Sequence, residues 1–186
     1  TMQIWPDVSE EEADRHGGCC SLAAAEDARR VANLLGIPHY VLNLKKVFEE
    51  KVISYFCDEY VSGRTPNPCV LCNRDIKFGA LLWKAKQIGA EYVATGHYAR
   101  VVQDPSGRFL LLRGVDRTKD QSYALYMLRQ YQLAAAIFPL GSLTKVQVRQ
   151  IAAELGLPVA EKPESQEICF ITSGNYAEFV RKRKPE

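Results

Sequence analysis

Apolar residues recur along the chain in helical and strand-like patterns, and the changes between them mark the elements. Between Leu22 and Leu35, the residues Ala28, Val31, Ala32 and Leu35 fall at i, i+3, i+4 and i+7. That spacing lines one face of a helix, and Gly36 predicts its end. Tyr40–Leu44 is a short apolar run that predicts a buried strand, and Lys45–Ser62 predicts a second helix stopped at Gly63. Residues 64–73 hold Pro66 and Pro68, which predict a stiff loop, with the next helix running from Asp75 to Ile88 and ending at Gly89. Tyr92–Ala94 predicts a short strand leading into Thr95-Gly96-His97-Tyr98. Ala99–Val102 and Phe109–Arg113 predict a hairpin around Asp104-Pro105-Ser106-Gly107. Thr1–Trp5 has the look of a strand's tail, entering a polar loop over Pro6–Gly18. Helices alternating with strands predict an α/β fold built on a parallel sheet covered on both faces.

After Pro139 the pattern changes. Leu143–Leu155 predicts a short amphipathic helix with Val148, Ile151, Ala152 and Leu155 on one face, stopped by Gly156 and Pro158. A polar loop, Glu161–Glu167, precedes the apolar Ile168-Cys169-Phe170-Ile171. Asn175–Arg183 predicts a last helix with a basic end. This stretch is too short for an independent domain and reads as the start of one.

Composition narrows the class. With 186 residues, the chain fits one domain, or one and a small second unit. The 47% share of hydrophobic residues marks a globular chain, and 24 basic against 22 acidic side chains exclude a polycation or an acidic tail. No apolar run approaches the roughly 20 residues of a membrane helix, and no signal peptide opens the chain. The expectation is a cytoplasmic protein that binds neither membrane nor DNA.

The six cysteines are then better read as reduced thiols than as a disulfide framework. Cys69-x-x-Cys72 stands where the proline loop meets a helix. A helix N-terminus favours the thiolate, which suits a nucleophile or a metal ligand as well as two structural cysteines. A zinc ribbon needs a second cysteine pair, which the adjacent Cys19 and Cys20 do not supply. Cys169 follows a polar run and precedes apolar residues, so core and surface readings both stand; Cys57 reads as core. Gly96 lies at the carboxyl end of a strand, the ligand edge of an open α/β sheet. His97 alone is more often structural there, and Lys119-Asp120-Gln121-Ser122 reads as a capping loop with Asp120 or Ser122 as the cap.

Five strings taken together resemble the family of tRNA-specific 2-thiouridylases of the bacterial MnmA type. They are GRTPNPCVLCNRDIKF (Gly63–Phe78), ATGHYAR (Ala94–Arg100), LLRGVDRTKDQSYALY (Leu111–Tyr126), FPLGSLTKVQVRQIAAELGLPVA (Phe138–Ala160) and ESQEICFI (Glu164–Ile171). They occur in order and span nearly the whole chain. The resemblance implies a PP-loop domain of the adenine nucleotide α-hydrolase-like class over residues 1–140, and the start of a central tRNA-binding domain over residues 141–186. It also implies ATP-dependent 2-thiolation of the wobble uridine, in which ATP with Mg2+ adenylates the C2 oxygen and a sulfur nucleophile displaces AMP.

In such a reaction Cys169 carries the sulfur as a persulfide and Cys72 is the second nucleophile, ending as a Cys72–Cys169 disulfide. Asn67, Pro68 and Cys69 correspond to a target-base contact, where many members have aspartate in place of Cys69. Met2 and Gly96 correspond to ATP contacts; His97, Lys119, Asp120 and Gln121 correspond to tRNA contacts. Arg64, Arg74 and Lys77 are placed to hold phosphates by position alone. The anticodon stem-loop is the implied substrate region, and a sulfur-carrier protein or cysteine desulfurase the implied sulfur source.

Three thiols, Cys69, Cys72 and Cys169, leave a second mechanism open, a [4Fe–4S] cluster with one open iron. The family's SGGxDS pyrophosphate loop and its β-rich C-terminal domain find no match here. A chain incomplete at both ends, lacking the first strand–loop–helix and not adenylating on its own, is therefore expected. The alternative function is a non-catalytic fragment that binds tRNA or a sulfur carrier. Cys19 and Cys20 carry no assignment.

Overall fold

The computed structural model describes residues 1–4, 22–158, 160, 168–171 and 174–185. The loops expected over residues 6–18 and 161–167, and Cys19 and Cys20, lie outside the described residues. The chain divides into two compact units, Thr1–Pro68 with Gly156–Glu186, and Cys69–Leu155.

In the first unit, β1 (Met2–Gln3) pairs in parallel with β2 (Leu42–Asn43), in the register Met2↔Leu42. The N–H groups of Leu42 and Leu44 extend the ladder to the carbonyls of Thr1 and Gln3. The expected buried strand at Tyr40–Leu44 is corrected here. Tyr40 and Val41 are exposed, Leu42 is half-buried, and Leu44 alone is buried. The run is apolar, but it enters the ladder only from Leu42. Helix α1 (Leu22–Leu34) precedes it, ending where its sequence predicts.

The helix expected over Lys45–Ser62 is a continuous run with a changed winding inside it. It starts as α2 (Lys45–Phe48), widens to a π-helix over Glu49–Ile53, and continues as α3 (Ser54–Val61). The Ser54 hydroxyl donates to the Glu49 carbonyl at 3.0 Å, giving that group a partner where the winding changes. Gly63 closes the run in the left-handed region at φ 73°, a conformation that glycine adopts without a Cβ clash. Phe48, Val52, Ile53, Phe56 and Cys57 are buried on one side of this run. Helix α8 (Tyr176–Arg183) packs on α3, with the Asn175 side chain accepting from the Glu178 N–H as its N-cap.

Where the chain passes into the second unit, the expected loop at residues 64–73 is shorter than its prolines suggested. Helix α4 begins at Pro68 (Pro68–Leu71), passes into a π-helix over Cys72–Leu81, and continues as α5 (Leu82–Gln87). Proline is tolerated in a helix's first turn, because its missing N–H would have no intrahelical acceptor there. Pro66 stays outside the helix; Pro68 starts it.

Within this unit β3 (Val93–Ala94) pairs in parallel with β6 (Ala136–Ile137). The described strands therefore form short two-stranded sheets and not one continuous sheet. The predicted hairpin is present as β4 (Ala99–Gln103) and β5 (Phe109–Arg113), antiparallel with Ala99 opposite Arg113. Asp104 closes its turn by accepting from the N–H groups of Ser106 and Arg108 at 2.8 and 3.0 Å.

Phe78, Leu82, Val93, Ala99, Leu125, Leu128, Leu133 and Phe138 form the core of this unit. Helix α6 (Gln130–Leu133) and α7 (Lys145–Glu154) complete it. The predicted N-terminus of α7 is sharpened by a capping box, in which Thr144 and Gln147 each bond the other's backbone N–H. Its apolar stripe is not core, for Ile151 and Leu155 are exposed. No helix among the described residues is long and apolar enough to cross a membrane.

Candidate functional site

The second unit joins three sequence motifs by hydrogen bonds. Cys69 and Cys72 lie on the first turns of the α4–π helix, Cys69 exposed and Cys72 half-buried. Asn73, next in sequence, is fully buried, and its Nδ2 donates to the Ala124 carbonyl at 2.9 Å. Ala124 closes a 3-10 turn over Ser122–Ala124, directly after Lys119-Asp120-Gln121. Gln121 clasps Tyr98 twice: its Oε1 accepts from the Tyr98 N–H at 3.1 Å, and its own N–H donates to the Tyr98 carbonyl at 3.0 Å. The segments carrying Cys72, His97 and Lys119 are thereby fixed to one another.

Asp120 has a structural task of its own. Its Oδ1 accepts from the Gly114 N–H at 2.9 Å, and its Oδ2 from the Ser122 hydroxyl at 2.8 Å. Burial pushes its carboxyl up, but these N–H and O–H donors outweigh it and hold the group below the usual carboxylate value. The expected cap at Asp120 or Ser122 is corrected: Gln121 holds the N-cap position of the following 3-10 turn without a side-chain cap, and Asp120 instead braces the loop between Gly114 and Ser122.

Gly96 is exposed just past the carboxyl end of β3. A Cβ there would meet only Leu140 Cδ1 at 3.6 Å, so its backbone is open to a ligand. That openness fits a nucleotide contact. Met2 is half-buried in β1 of the first unit. Asn67 is exposed and Pro68 buried at the start of α4.

His97 is buried edge-on against Phe138, with its Nδ1 and the Thr95 Oγ1 2.7 Å apart. Burial brings its pKa down from 6.5 to about 3, and the nearby Lys77 charge adds to this. The folded state thus keeps His97 neutral, while an unfolded chain takes up a proton near pH 6.5. Stability from this group is complete above that pH and is lost as the pH falls from 6.5 toward 3. Between pH 7 and pH 5 the loss is expected to be about 2 kcal/mol. Urea unfolding at both pH values checks it, and His97→Gln is expected to flatten the difference.

Three basic residues singled out by position have acidic neighbours or burial. Arg64 forms a paired contact with Glu59, both hydrogen bonds at 2.6 Å. Arg74 does the same with Asp75 at 2.7 Å and reaches the Met127 sulfur at 3.8 Å. Lys77 is half-buried beside His97. No group of three or more His, Cys, Asp or Glu side chains suited to a metal ion occurs among the described residues.

Two residues in this arrangement escape the sequence reading. Asn73 is one, and its Oδ1 is buried without a partner among the described residues. Gln132 is the other. Its Nε2 donates to the carbonyls of Arg74 and Phe78 at 2.7 and 2.8 Å, and its Oε1 accepts from the Arg129 N–H at 2.9 Å. It holds the π-helix that starts at Cys72. The available signal was an amide directly ahead of the apolar run Leu133–Phe138.

In the first unit, Cys169 is half-buried in a turn closed by the Ile171 N–H on the Ile168 carbonyl at 2.9 Å. Phe170 anchors that turn. Its ring meets Phe48, Phe56 and Phe179 at centroid distances of 5.7, 5.2 and 5.4 Å, a set of edge and tilted contacts. Both readings of Cys169 are thus partly right, since its neighbours are core and the thiol is at the margin. Cys57 is core as expected, and burial pushes its thiol up.

Residues 1–173 match the family model described as the tRNA methyl transferase HUP domain. The chain is 58% identical to the tRNA-specific 2-thiouridylase MnmA 2 of Caldanaerobacter subterraneus subsp. tengcongensis, covering 100% of this chain and 51% of that protein. It is 57% identical to the tRNA-specific 2-thiouridylases MnmA of Heliobacterium modesticaldum and Moorella thermoacetica, over 100% of this chain and 48% and 52% of theirs. The chain spans about half the length of the curated relatives it matches. With the family model matched over nearly its whole length, the chain belongs to the tRNA methyl transferase HUP-domain family, alongside relatives named tRNA-specific 2-thiouridylases.

Proposed function

We propose that the protein carrying this chain catalyses ATP-dependent 2-thiolation of the wobble uridine of tRNA. The observation that supports this most is the wiring of the second unit. Asn73 ties the Cys72 helix to the turn after Lys119–Gln121, and Gln121 ties that turn to Gly96-His97-Tyr98. Within the second unit, the Cys72 helix, the Lys119–Gln121 turn and the Gly96–Tyr98 segment are thus held together. In this reading residues 1–140 belong to the nucleotide-binding domain and residues 141–186 open a central tRNA-binding domain.

Uridine C2 bears a carbonyl oxygen, which is a poor leaving group; ATP supplies the adenylyl group that lets it depart as AMP. The open backbone at Gly96 serves the nucleotide, with Met2 as a second contact. Cys169 receives a persulfide sulfur from a sulfur-carrier protein or a cysteine desulfurase. The Cys72 thiolate attacks the Cys169 sulfur, the terminal sulfur leaves as hydrosulfide, and a Cys72–Cys169 disulfide forms. Hydrosulfide then displaces AMP at C2, and an external thiol reductant returns the disulfide to two thiols. Asn67, Pro68 and Cys69 flank the base, while His97 and the Lys119–Gln121 turn shape the tRNA-facing backbone.

The test supplies tRNA transcript, ATP and a persulfide donor to the purified protein. AMP and 2-thiouridine are expected in equal amounts, each dependent on tRNA and ATP. Thiolation that proceeds without ATP would overturn the reading; so would tRNA binding with neither product, which would assign a binding role alone.

A further inference from the structure

Directly after the Lys119–Gln121 turn, the chain presents two tyrosines to solvent. Tyr123 and Tyr126 are 63% and 69% exposed, whereas Leu125 between them is 1% exposed. Ala124 and Leu125 anchor the segment in the core, and the two rings are three residues apart on a tight turn. Tyr123 lies within the 3-10 turn and Tyr126 two residues past its end, one on each side of the buried pair Ala124 and Leu125. Large aromatic rings left out of the core at this spacing need a reason other than packing.

Their neighbours supply one. The carbonyl between them, that of Ala124, is the acceptor for Asn73, the residue after Cys72. Arg74 reaches the sulfur of Met127, the residue after Tyr126, from the same helix. The platform therefore lies next to Cys72 within the second unit. Its surroundings are basic: from Arg113 to Arg129 there are four basic and two acidic residues. Both acids are engaged internally, Asp116 with the Thr118 hydroxyl and the Lys145 N–H, and Asp120 with Gly114 and Ser122. Aromatic rings on a basic surface suit a single strand of nucleic acid, whose bases stack and whose phosphates are drawn to the cations. An apolar protein partner would gain little from such a rim.

We infer that Tyr123 and Tyr126 form a stacking platform for unpaired RNA bases beside Cys72. The inference deepens the tRNA reading above and rests on it. In this division of labour Asp120 and Gln121 shape the turn, and the two rings make the contact. An unstacked loop base gains a partner there while its neighbour is presented to the thiol.

The test measures binding of a fluorescein-labelled single-stranded RNA of anticodon-loop length, and of a blunt RNA duplex, to the purified chain and its variants. Tyr123→Ala and Tyr126→Ala are each expected to weaken single-strand binding roughly tenfold, the loss typical of one stacked base. Duplex binding and the salt slope are expected to stay put, since phosphate contacts are retained. Tyr123→Phe and Tyr126→Phe are expected to bind like the parent, as is Trp83→Ala, which removes an exposed ring elsewhere on the unit. All these positions are exposed, so folding survives the changes.

Alanine variants that bind like the parent would overturn the platform and leave the tRNA reading intact. Equal loss in the phenylalanine variants would also overturn it, by assigning the contact to the hydroxyls. A parent chain that binds no RNA would overturn the platform, while the tRNA reading of the whole protein is decided by the thiolation assay above.

Discussion

Replacing Cys72 by alanine is expected to lower 2-thiolation at least about a thousandfold while leaving the fold in place. The thiol is half-buried at the start of a π-helix, and its loss removes one sulfur atom from a surface-adjacent position. The helix keeps the constraints that hold it, the Asn73 bond to Ala124 and the Gln132 bonds to Arg74 and Phe78. The cost to stability is expected to be within about 1 kcal/mol. In the proposed mechanism the chemistry has no such reserve, because there the Cys72 thiolate is the group that opens the Cys169 persulfide. The measurement is 2-thiouridine by nucleoside mass spectrometry, beside AMP release. A variant that still releases AMP but forms no 2-thiouridine separates sulfur delivery from adenylation. Cys69→Ala is the comparison. Cys69 is exposed and one helical turn away, and its loss is expected to weaken the reaction less. Iron and labile sulfide in the purified protein, lost in either variant, would instead assign these thiols to a cluster.

Local chemistry was legible where a residue's task is decided by its neighbours in sequence. The Asp104–Gly107 turn and the stops at Gly63 and Gly89 all follow from backbone requirements that few residue types meet. The start of the Cys72 helix was misread, because a proline forbids the interior of a helix and suits its first turn, and Pro66 and Pro68 fall on opposite sides of that line. The strand at Tyr40 was misread for another reason. An apolar run states that burial is possible, and only the partner elements decide whether Tyr40 and Val41 receive it. The π-helices at Glu49–Ile53 and Cys72–Leu81 are changes of hydrogen-bond register inside a helix, which the spacing of apolar residues does not announce. The candidate site divides in the same way. Its thiols and glycines were visible as motifs, whereas Asn73 and Gln132, which hold the motifs together, act across 51 to 58 residues of sequence.

Gly141→Ala is expected to destabilise the second unit by about 4 kcal/mol, among the largest losses that a single added methyl group causes. A Cβ at this position would stand 1.8 Å from the Ala99 carbonyl oxygen, 2.7 Å from its carbon and 2.9 Å from Arg100 Cγ. Two of these three atoms are backbone, so no rotamer change relieves the clash. Ala99 is fully buried and paired to Arg113, and the Gly141 carbonyl accepts from the Val115 N–H at 2.9 Å. Moving either strand or turn therefore breaks a second contact to mend the first. Urea unfolding gives the loss directly. Gly96→Ala makes the contrast that gives the result its meaning. A Cβ at Gly96 meets only Leu140 Cδ1, at ordinary contact distance, and Gly96 is absent from the glycines with positive φ, so unfolding is expected to change by less than about 1 kcal/mol. If the nucleotide lies against the Gly96 backbone, that variant keeps its stability and loses ATP affinity, whereas Gly141→Ala loses stability first. One glycine is required by the fold and the other by the ligand. Equal destabilisation by both would remove the argument for nucleotide at Gly96.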